Sequence, residues 1–326
     1  MIRPAPRFAV PLALDPRRLL GIDPAAAVFN LGGETMGTRW SVRLACPPGR
    51  DLASLDRAIG RRLDGLIREM SHWLPDSLLA RYGEAPAGRW VDLPPDFATV
   101  MAAGLAIAAR SDGSFDPTIG RLTDAWGLGA TERVVPPSPA AIAAALAASG
   151  WRRATFDPAA RRLLQPGGLR LDLSGIAKGH AVDAVAAVLL AAGITHALVE
   201  IGGECRGLGL RPDGDPWWVE LETPADVPLA PIRVALHELS VATSGDYVRG
   251  THTLDPSSGL PAADAPIAVS VLHASCMIAD AWASALTVMR REAARATATE
   301  EALAVRVLER DGSEWISPAL AEMLSD

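Results

Sequence analysis

The sequence predicts an α+β fold of mostly antiparallel sheets with helices packed on them, and three observations predict it. Strand-like runs follow one another through the second half of the 326-residue chain: "HALVEI", "WWVELE", "PIRVAL" and "IAVSVLH". Segments with helical periodicity are grouped between such runs instead of alternating strictly with them, which favours α+β over a doubly wound sheet. An apolar content of 49% in a chain of this length is enough for a large core. No internal repeat or long linker interrupts the pattern. Residues 1–28, rich in Pro and Arg, read as a variable N-terminal arm, and 29–326 as one domain.

Taken in order, "RWSVRLA" (39–45) alternates as a strand does. From Leu52 the apolar set Leu55, Ile59, Leu63, Leu66, Ile67 and Met70 keeps helical spacing, with Asp51 placed to cap it. A second helix is expected over Pro95–Arg110, and a third over "SPAAIAAALAASGW" (138–151), closed by Gly150. "ATFDPAARRLLQPGGLRLDL" (154–173) reads as strand, turn, strand, with Asp157 and Pro158 as turn residues. Its end, "LRLDL", should lead as a strand into "SGIAKG" and the helix "HAVDAVAAVLLAAG". A helix is expected from Cys276 to about Arg291, and "VRVLERDGSEWIS" (305–317) as a closing hairpin around Asp311 and Gly312.

The net charge is −7 and no basic run is interleaved with aromatics, which excludes nucleic acid as an expected partner. Cys46, Cys205 and Cys276 lie far apart without CxxC spacing, so they read as core residues and not as a disulfide framework or zinc site. The N-terminal apolar run is short, is broken by Pro11 and has no small-residue cleavage site after it. "RLAC" (43–46) lies within a strand, and no apolar stretch is long enough to cross a membrane. A cytoplasmic location without a transmembrane segment is therefore expected.

Five glycine-bearing clusters fall at element ends: "ETMGT", "GSFDPTIG", "DLSGIAKG", "EIGGE" and "TSGDYVRGTHTLDPSSG". Each alone is turn chemistry, but together they gather hydroxyls and carboxylates. No P-loop, GxGxxG, GxSxG or HExxH pattern is present. "DLSGIAKGHAVD" (172–183) holds Lys178, the only lysine among 31 Lys and Arg. Small residues at that helix start leave backbone amides open to an anion, and an ammonium is a compact charge that a guanidinium does not replace. In "SCMIADAWASAL" (275–286), Asp280 and Ser284 stand four apart on a helix capped by Ser275, hence on one face. They could give Mg²⁺ two oxygen ligands, with backbone, water or phosphate completing the shell. The alternative is an Asp that merely favours the start of its helix.

In this order and spacing, "ETMGTRWSV", "MSHWLPDSLLAR", "GSFDPTIGRLTDAWGLG", "DLSGIAKGHAVD", "ALVEIGGE", "VATSGDYVR", "HTLDPSSGLP" and "ADAWASAL" resemble the FAD:protein FMN transferase (ApbE) family, from Gly33 to at least Met289. The resemblance implies an α+β fold that binds FAD with Mg²⁺, or Mn²⁺, and passes the FMN half through a phosphoester to a Thr or Ser of an acceptor flavoprotein, releasing AMP. It implies an acceptor motif of the Ser/Thr-Gly-Ala-Thr/Ser type, of which this chain holds no clean copy, so that modification would occur in trans. Carried over by position, Met36 and Trp73 would contact flavin, and Ser114, Phe115 and Asp116 would lie along FAD. Ser174 and His180 match flavin-nucleotide contacts. Ser244 and Gly245 would help enclose FAD, which backbone near Leu254 would touch. The carbonyl of Ala177 with Asp280 and Ser284 matches the metal ligands, and His252 is the candidate general base. Lys178 would neutralise phosphate or pair with a carboxylate. Ser284 stands where Thr is usual, His180 where Tyr is common, and no Asn follows "PDS". His72, His196, His237 and His273 read as surface or packing residues. The alternatives are a Mg²⁺-dependent FAD pyrophosphatase yielding FMN and AMP, and a non-catalytic FAD-binding protein.

Overall fold

The computed structural model describes residues 5–14, 22–130, 135–224, 227–245, 253–262 and 264–325. Part of the arm expected at 1–28 is strand β1 (Arg7–Ala9), and β2 (Ala27–Thr35) also begins inside it. β2 pairs with β3 (Thr38–Cys46) through a two-residue turn in which Met36 (φ 49°) and Gly37 (φ 70°) are both left-handed. A tight hairpin needs that twist, and a non-glycine residue there is uncommon. Then comes α1 (Leu52–Met70): Asp51 accepts from Ser54 N at 2.9 Å, and Leu55, Ile59, Leu63, Leu66 and Met70 form its buried stripe.

Next in the chain are α2 (Leu78–Glu84), β4 (Trp90–Asp92), α3 (Pro95–Arg110), α4 (Gly120–Trp126), α5 (Pro139–Ala148), β5 (Thr155–Asp157) and β6 (Arg162–Leu164). After them stand α6 (Ala177–Ala191), β7 (Ala197–Ile201), β8 (Glu204–Leu208), β9 (Trp217–Glu220), β10 (Ile232–Leu236), β11 (Leu239–Ser244) and β12 (Ala268–His273). The chain ends with α7 (Cys276–Val288), α8 (Arg291–Glu300), β13 (Ala304–Leu308), β14 (Glu314–Ile316), α9 (Pro318–Met323) and β15 (Leu324–Ser325).

The strands form an eight-stranded antiparallel sheet in the order β14-β13-β12-β11-β8-β7-β3-β2, a four-stranded sheet β15-β1-β10-β9 and a three-stranded sheet β4-β6-β5. The β1–β10 ladder is parallel. Alternation splits the large sheet's residues between two cores. Val199, Ile201, Ala242, Val269 and Val271 join the cluster built with α1, α3, α6 and α7. Leu198, Cys205, Val241 and Leu272 instead meet Trp217, Val234, Leu236 and Leu320 of the smaller sheet and α9. Helices, large sheet and small sheet are thus layered, and α6 and α7 lie side by side on the large sheet. All three cysteines are buried and free.

Two expected elements differ. "LRLDL" (169–173) forms no ladder: Arg170 makes a single parallel bridge with Ile119, and Asp172 N donates to Pro117 O at 2.9 Å. Leu169, Leu171 and Leu173 are buried alternately, which is why the segment reads as a strand. The helix expected to reach Arg291 stops at Val288, because Met289 (ψ 148°) and Arg290 (ψ 146°) are extended and turn the chain into α8. Sequence reading also passed over β8, whose Gly207 looks like a strand breaker. A Cβ there would lie 2.0 Å from Leu236 O, so the glycine serves a close approach of two strands.

Candidate functional site

α6 and α7 meet through missing side chains. A Cβ on Gly179 would lie 2.3 Å from Cys276 O, and one on Gly175 would lie 2.6 Å from Ser284 Oγ. With the backbone of 175–179 drawn this close, Gly179 N donates to Asp280 Oδ2 at 2.9 Å. No side chain next to it in sequence caps α6, so the carboxylate of α7 does so from outside. Asp280 is 5% exposed, and burial raises its carboxyl pKa. Ser284 is one turn on and half-buried, and Ala177 opens α6.

These residues fit a hard cation. Among the described residues no three His, Cys, Asp or Glu side chains form a metal cage. The donors that α7 presents to the 175–179 segment are the Asp280 carboxylate and the Ser284 hydroxyl, hard oxygens of the kind that suit Mg²⁺, which keeps several positions for water or substrate phosphate.

Lys178 points from α6 to Glu204, with which it forms an ion pair. Glu204 is 2% exposed and its carboxyl is pushed up to about 8, first by burial, then by the negative charge of Asp280, against the pull of Lys178. Its Oε2 has no hydrogen-bond partner. Glu204 begins β8 just after the left-handed Gly202 and Gly203, and a Cβ on Gly202 would press on Thr38 at 2.9 Å. The β7–β8 turn thus lies beside the β2–β3 turn that carries Met36.

At the start of α6, Asp172 Oδ1 accepts from Ser174 N at 2.8 Å and Ser174 Oγ at 2.6 Å, while Oδ2 accepts from Thr123 Oγ1. His72 Nδ1 is 4.0 Å away. Burial works to raise this carboxyl, but the charge of His72 and the two hydroxyls outweigh it and hold the pKa below the ordinary value. Trp73, next to His72 and 5.1 Å from it between ring centroids, is 56% exposed. An indole face open to solvent beside a polar cluster can stack on a flat ring.

The other candidate residues are placed as follows. Phe115 is buried, 3.3–3.5 Å from the Cβ positions of Gly175 and Gly104, so it backs the Gly175–Ser284 contact. Ser114 is half-buried beside it. Asp116 commits both oxygens to protein: Oδ1 to Thr118 N (2.7 Å) and Oγ1 (2.6 Å), Oδ2 to Trp151 N (2.9 Å). His180 stands about 100° round α6 from Gly179 and meets Asp96 Oδ1 at 3.0 Å; Arg62 holds the same carboxylate with two bonds of 2.6 Å. Ser244 ends β11 and Gly245 follows it, both half-buried. Leu254 is buried with Leu122 and Ala145 and bridges to Pro261. His252 lies outside the described residues.

Sequence reasoning passed over Glu204, Asp172, Asp96 and Asp183, and it took His72 for a surface or packing residue. Asp172 and Asp183 are the two ends of the stretch that holds Lys178, and Glu204 ends "EIGGE", so their positions were in view while their partners were not.

The pattern of the ApbE family matches residues 36–308. The chain belongs to the ApbE family. It is 33% identical over 321 residues to the FAD:protein FMN transferase of Vibrio cholerae, covering 94% of this chain and 96% of that one. The enzyme of the same description from Escherichia coli K12 is 30% identical, with 92% and 90% covered. Among solved structures, the flavin transferase ApbE from Vibrio cholerae superposes with a TM-score of 0.85 at 33% identity, over 92% of this chain and all of that one. The apo flavinyl transferase ApbE of Pseudomonas stutzeri gives the same TM-score and identity over 92% and 98%. ApbE membership thus accords with the α+β architecture. No described helix is long and apolar enough to cross a membrane.

Proposed function

We propose that this ApbE-family chain is an FAD:protein FMN transferase, which joins the FMN of FAD to a Ser or Thr hydroxyl of an acceptor flavoprotein and releases AMP. The observation that carries the reading is the meeting of Asp280, Ser284 and the 175–179 backbone at the first turn of α6. These are hard oxygen donors beside helix amides, an arrangement that suits a cation-bound diphosphate. Asp280, Ser284 and the Ala177 carbonyl would hold Mg²⁺, which when bound would supply charge stabilisation for the diphosphate and the AMP leaving group.

The protein's own groups do the rest. The acceptor oxygen attacks the FMN phosphorus, the bond from that phosphorus to the AMP oxygen breaks, and the hydroxyl proton passes to His252 as base. Lys178 pairs with the buried Glu204 carboxyl and, against burial and the charge of Asp280, favours its ionised form. Trp73 offers its exposed face to the isoalloxazine, and Asp172 fixes Ser174 at the start of α6 for the nucleotide. Met36, Ser114, Phe115, Ser244, Gly245 and Leu254 complete the enclosure, and Asp116 and His180 shape it through Trp151 and Asp96.

The test incubates the purified protein with FAD and Mg²⁺, with and without an acceptor domain bearing a Ser/Thr-Gly-Ala-Thr/Ser type motif. AMP release and intact acceptor mass are read together. The expected result is acceptor-dependent AMP with an FMN-sized gain in mass. AMP and free FMN without any adduct would replace the transferase by an FAD pyrophosphatase, and bound FAD without AMP would leave a binding protein.

A further inference from the structure

α6 and α7 cap each other. Asp280 of α7 accepts from Gly179 N in the first turn of α6. One turn further along α6, Asp183 reaches back to the start of α7: Oδ2 accepts from Ser275 Oγ at 2.7 Å and Met277 N at 3.1 Å, and Oδ1 from Cys276 N at 3.1 Å. Arg206 of β8 closes the set with an ion pair to Oδ1. Ser275 is itself the cap of α7, accepting from Ile278 N. A carboxylate at a helix N-terminus satisfies open donors and favours the helix dipole. Here it also ties three consecutive residues of one helix to a single side chain of another, across more than ninety positions of sequence.

We infer that Asp183 is a positioning residue for the cation site: by holding residues 275–277, it sets how far α7 stands along α6 and how it is rotated, and so where Asp280 and Ser284 face the 175–179 backbone. A helix transmits such a constraint, because Asp280 is only three residues beyond Met277 in an unbroken α7. The glycine contacts alone leave the axial position open: small residues let the helices touch but supply no directional bond. The two directional links between α6 and α7 are the Gly179–Asp280 bond and the Asp183 clamp. Asp183 lies on the side of α6 that faces α7 and β8, while His180 faces Asp96. It therefore acts on the cation through α7 and not by contact.

The inference rests on the reading of Asp280 and Ser284 as cation ligands, and its test keeps the two apart. Asp183→Asn preserves volume but places an amide N–H₂ where an acceptor is needed, against either Cys276 N or Met277 N. Cation affinity is read by Mn²⁺ paramagnetic titration and by Mg²⁺ calorimetry on the protein without FAD, and the clamp itself by hydrogen exchange at the Cys276 and Met277 amides. The expected result is faster exchange at those amides and a loss of about tenfold or more in cation affinity, the usual cost of disturbing what orients a ligand, with the circular dichroism of the folded protein kept. Should Asp183→Asn not fold, Ser275→Ala removes one of the bonds to Asp183 together with the cap, and a loss of about threefold is expected. A folded variant of either kind that binds cation as the unchanged protein does overturns the inference. An unchanged protein that binds no cation at all overturns instead the ligand reading on which it rests.

Discussion

The contact of α6 with α7 and the surface around His72 and Trp73 border the same polar clusters but are built in opposite ways. At the helix contact the half-buried Asp183 is held by Ser275, Cys276, Met277 and Arg206, the buried Asp280 accepts from Gly179 N, and glycines admit backbone to within touching distance. At the aromatic flank the Trp73 ring stands in solvent against His72, and its backbone N–H is taken by Ser71 Oγ at 3.1 Å. The first arrangement fixes geometry before any ligand arrives, which is what charge stabilisation requires. The second leaves a surface that costs folding little and can be spent on binding. Changes to the backbone packing of the helix contact should therefore lower stability and activity together, whereas changes at the flank should lower activity alone.

The largest effect is expected at Gly179. The Cβ of Gly179→Ala would lie 2.3 Å from Cys276 O and 2.7 Å from Cys276 C, backbone atoms that cannot give way unless α7 moves. A loss of about 3 kcal/mol is expected, in the range of overpacking a tight contact, with turnover lost in parallel. Urea unfolding and AMP release check both, and an unchanged unfolding midpoint would break the comparison.

Asp280→Asn sharpens it, because here the two properties should part within the buried region. Turnover should fall about 100-fold or more if the carboxylate holds the cation. Without cation, however, the variant should melt higher than the unchanged protein, since burial already disfavours the Asp280 carboxylate and raises its pKa. Thermal melts with and without Mg²⁺ show this directly: Mg²⁺ should raise the melting temperature of the unchanged protein and leave the variant where it was.

What could be read from the sequence follows the range of the interactions. α1 was legible to its cap, because Asp51 and the buried stripe are set by neighbours three and four residues away. The Asp280–Ser284 face and the Ser275 cap were legible for the same reason. "LRLDL" was misread because burial on alternate residues marks a half-buried extended segment, whether or not a ladder forms beside it. Asp183 and Glu204 were missed because their partners are set by packing, α6 against α7 and β8, and no local pattern distinguishes a carboxylate that caps another helix from one that faces water. Lys178 drew notice by being the only lysine, but its partner Glu204 was visible only in the fold.

Trp73→Ala tests the flank. With the ring more than half exposed, its removal should change stability by no more than about 0.5 kcal/mol. If the indole stacks on the flavin, KM for FAD should rise about tenfold, within the range measured for aromatic stacking on bases. Steady-state kinetics against FAD, set beside a thermal melt, separate the two. A fall in stability with KM unchanged would move Trp73 from the binding surface to the packing of the loop.

The smallest effect is expected at Asp96, on the side of α6 turned from the cation ligands. Arg62, foremost, and then His180 hold this carboxyl below its ordinary pKa, against the opposing effect of burial. A carboxylate whose pKa is depressed by folding contributes stability above its unfolded value, near 4, and that contribution fades as pH falls through the folded value. Asp96→Asn should therefore melt lower than the unchanged protein at pH 7, by about 1 kcal/mol or less because the pair is partly open to solvent. The two melting curves should converge below about pH 4. Cation affinity should not change, since Asp96 acts on the His180 face and Asp280 is held from Gly179. A gap that persists in acid would mean that Asp96 stabilises by packing and not by charge. A weakened cation would join the His180 face to the helix contact and erase the boundary between the two faces of α6.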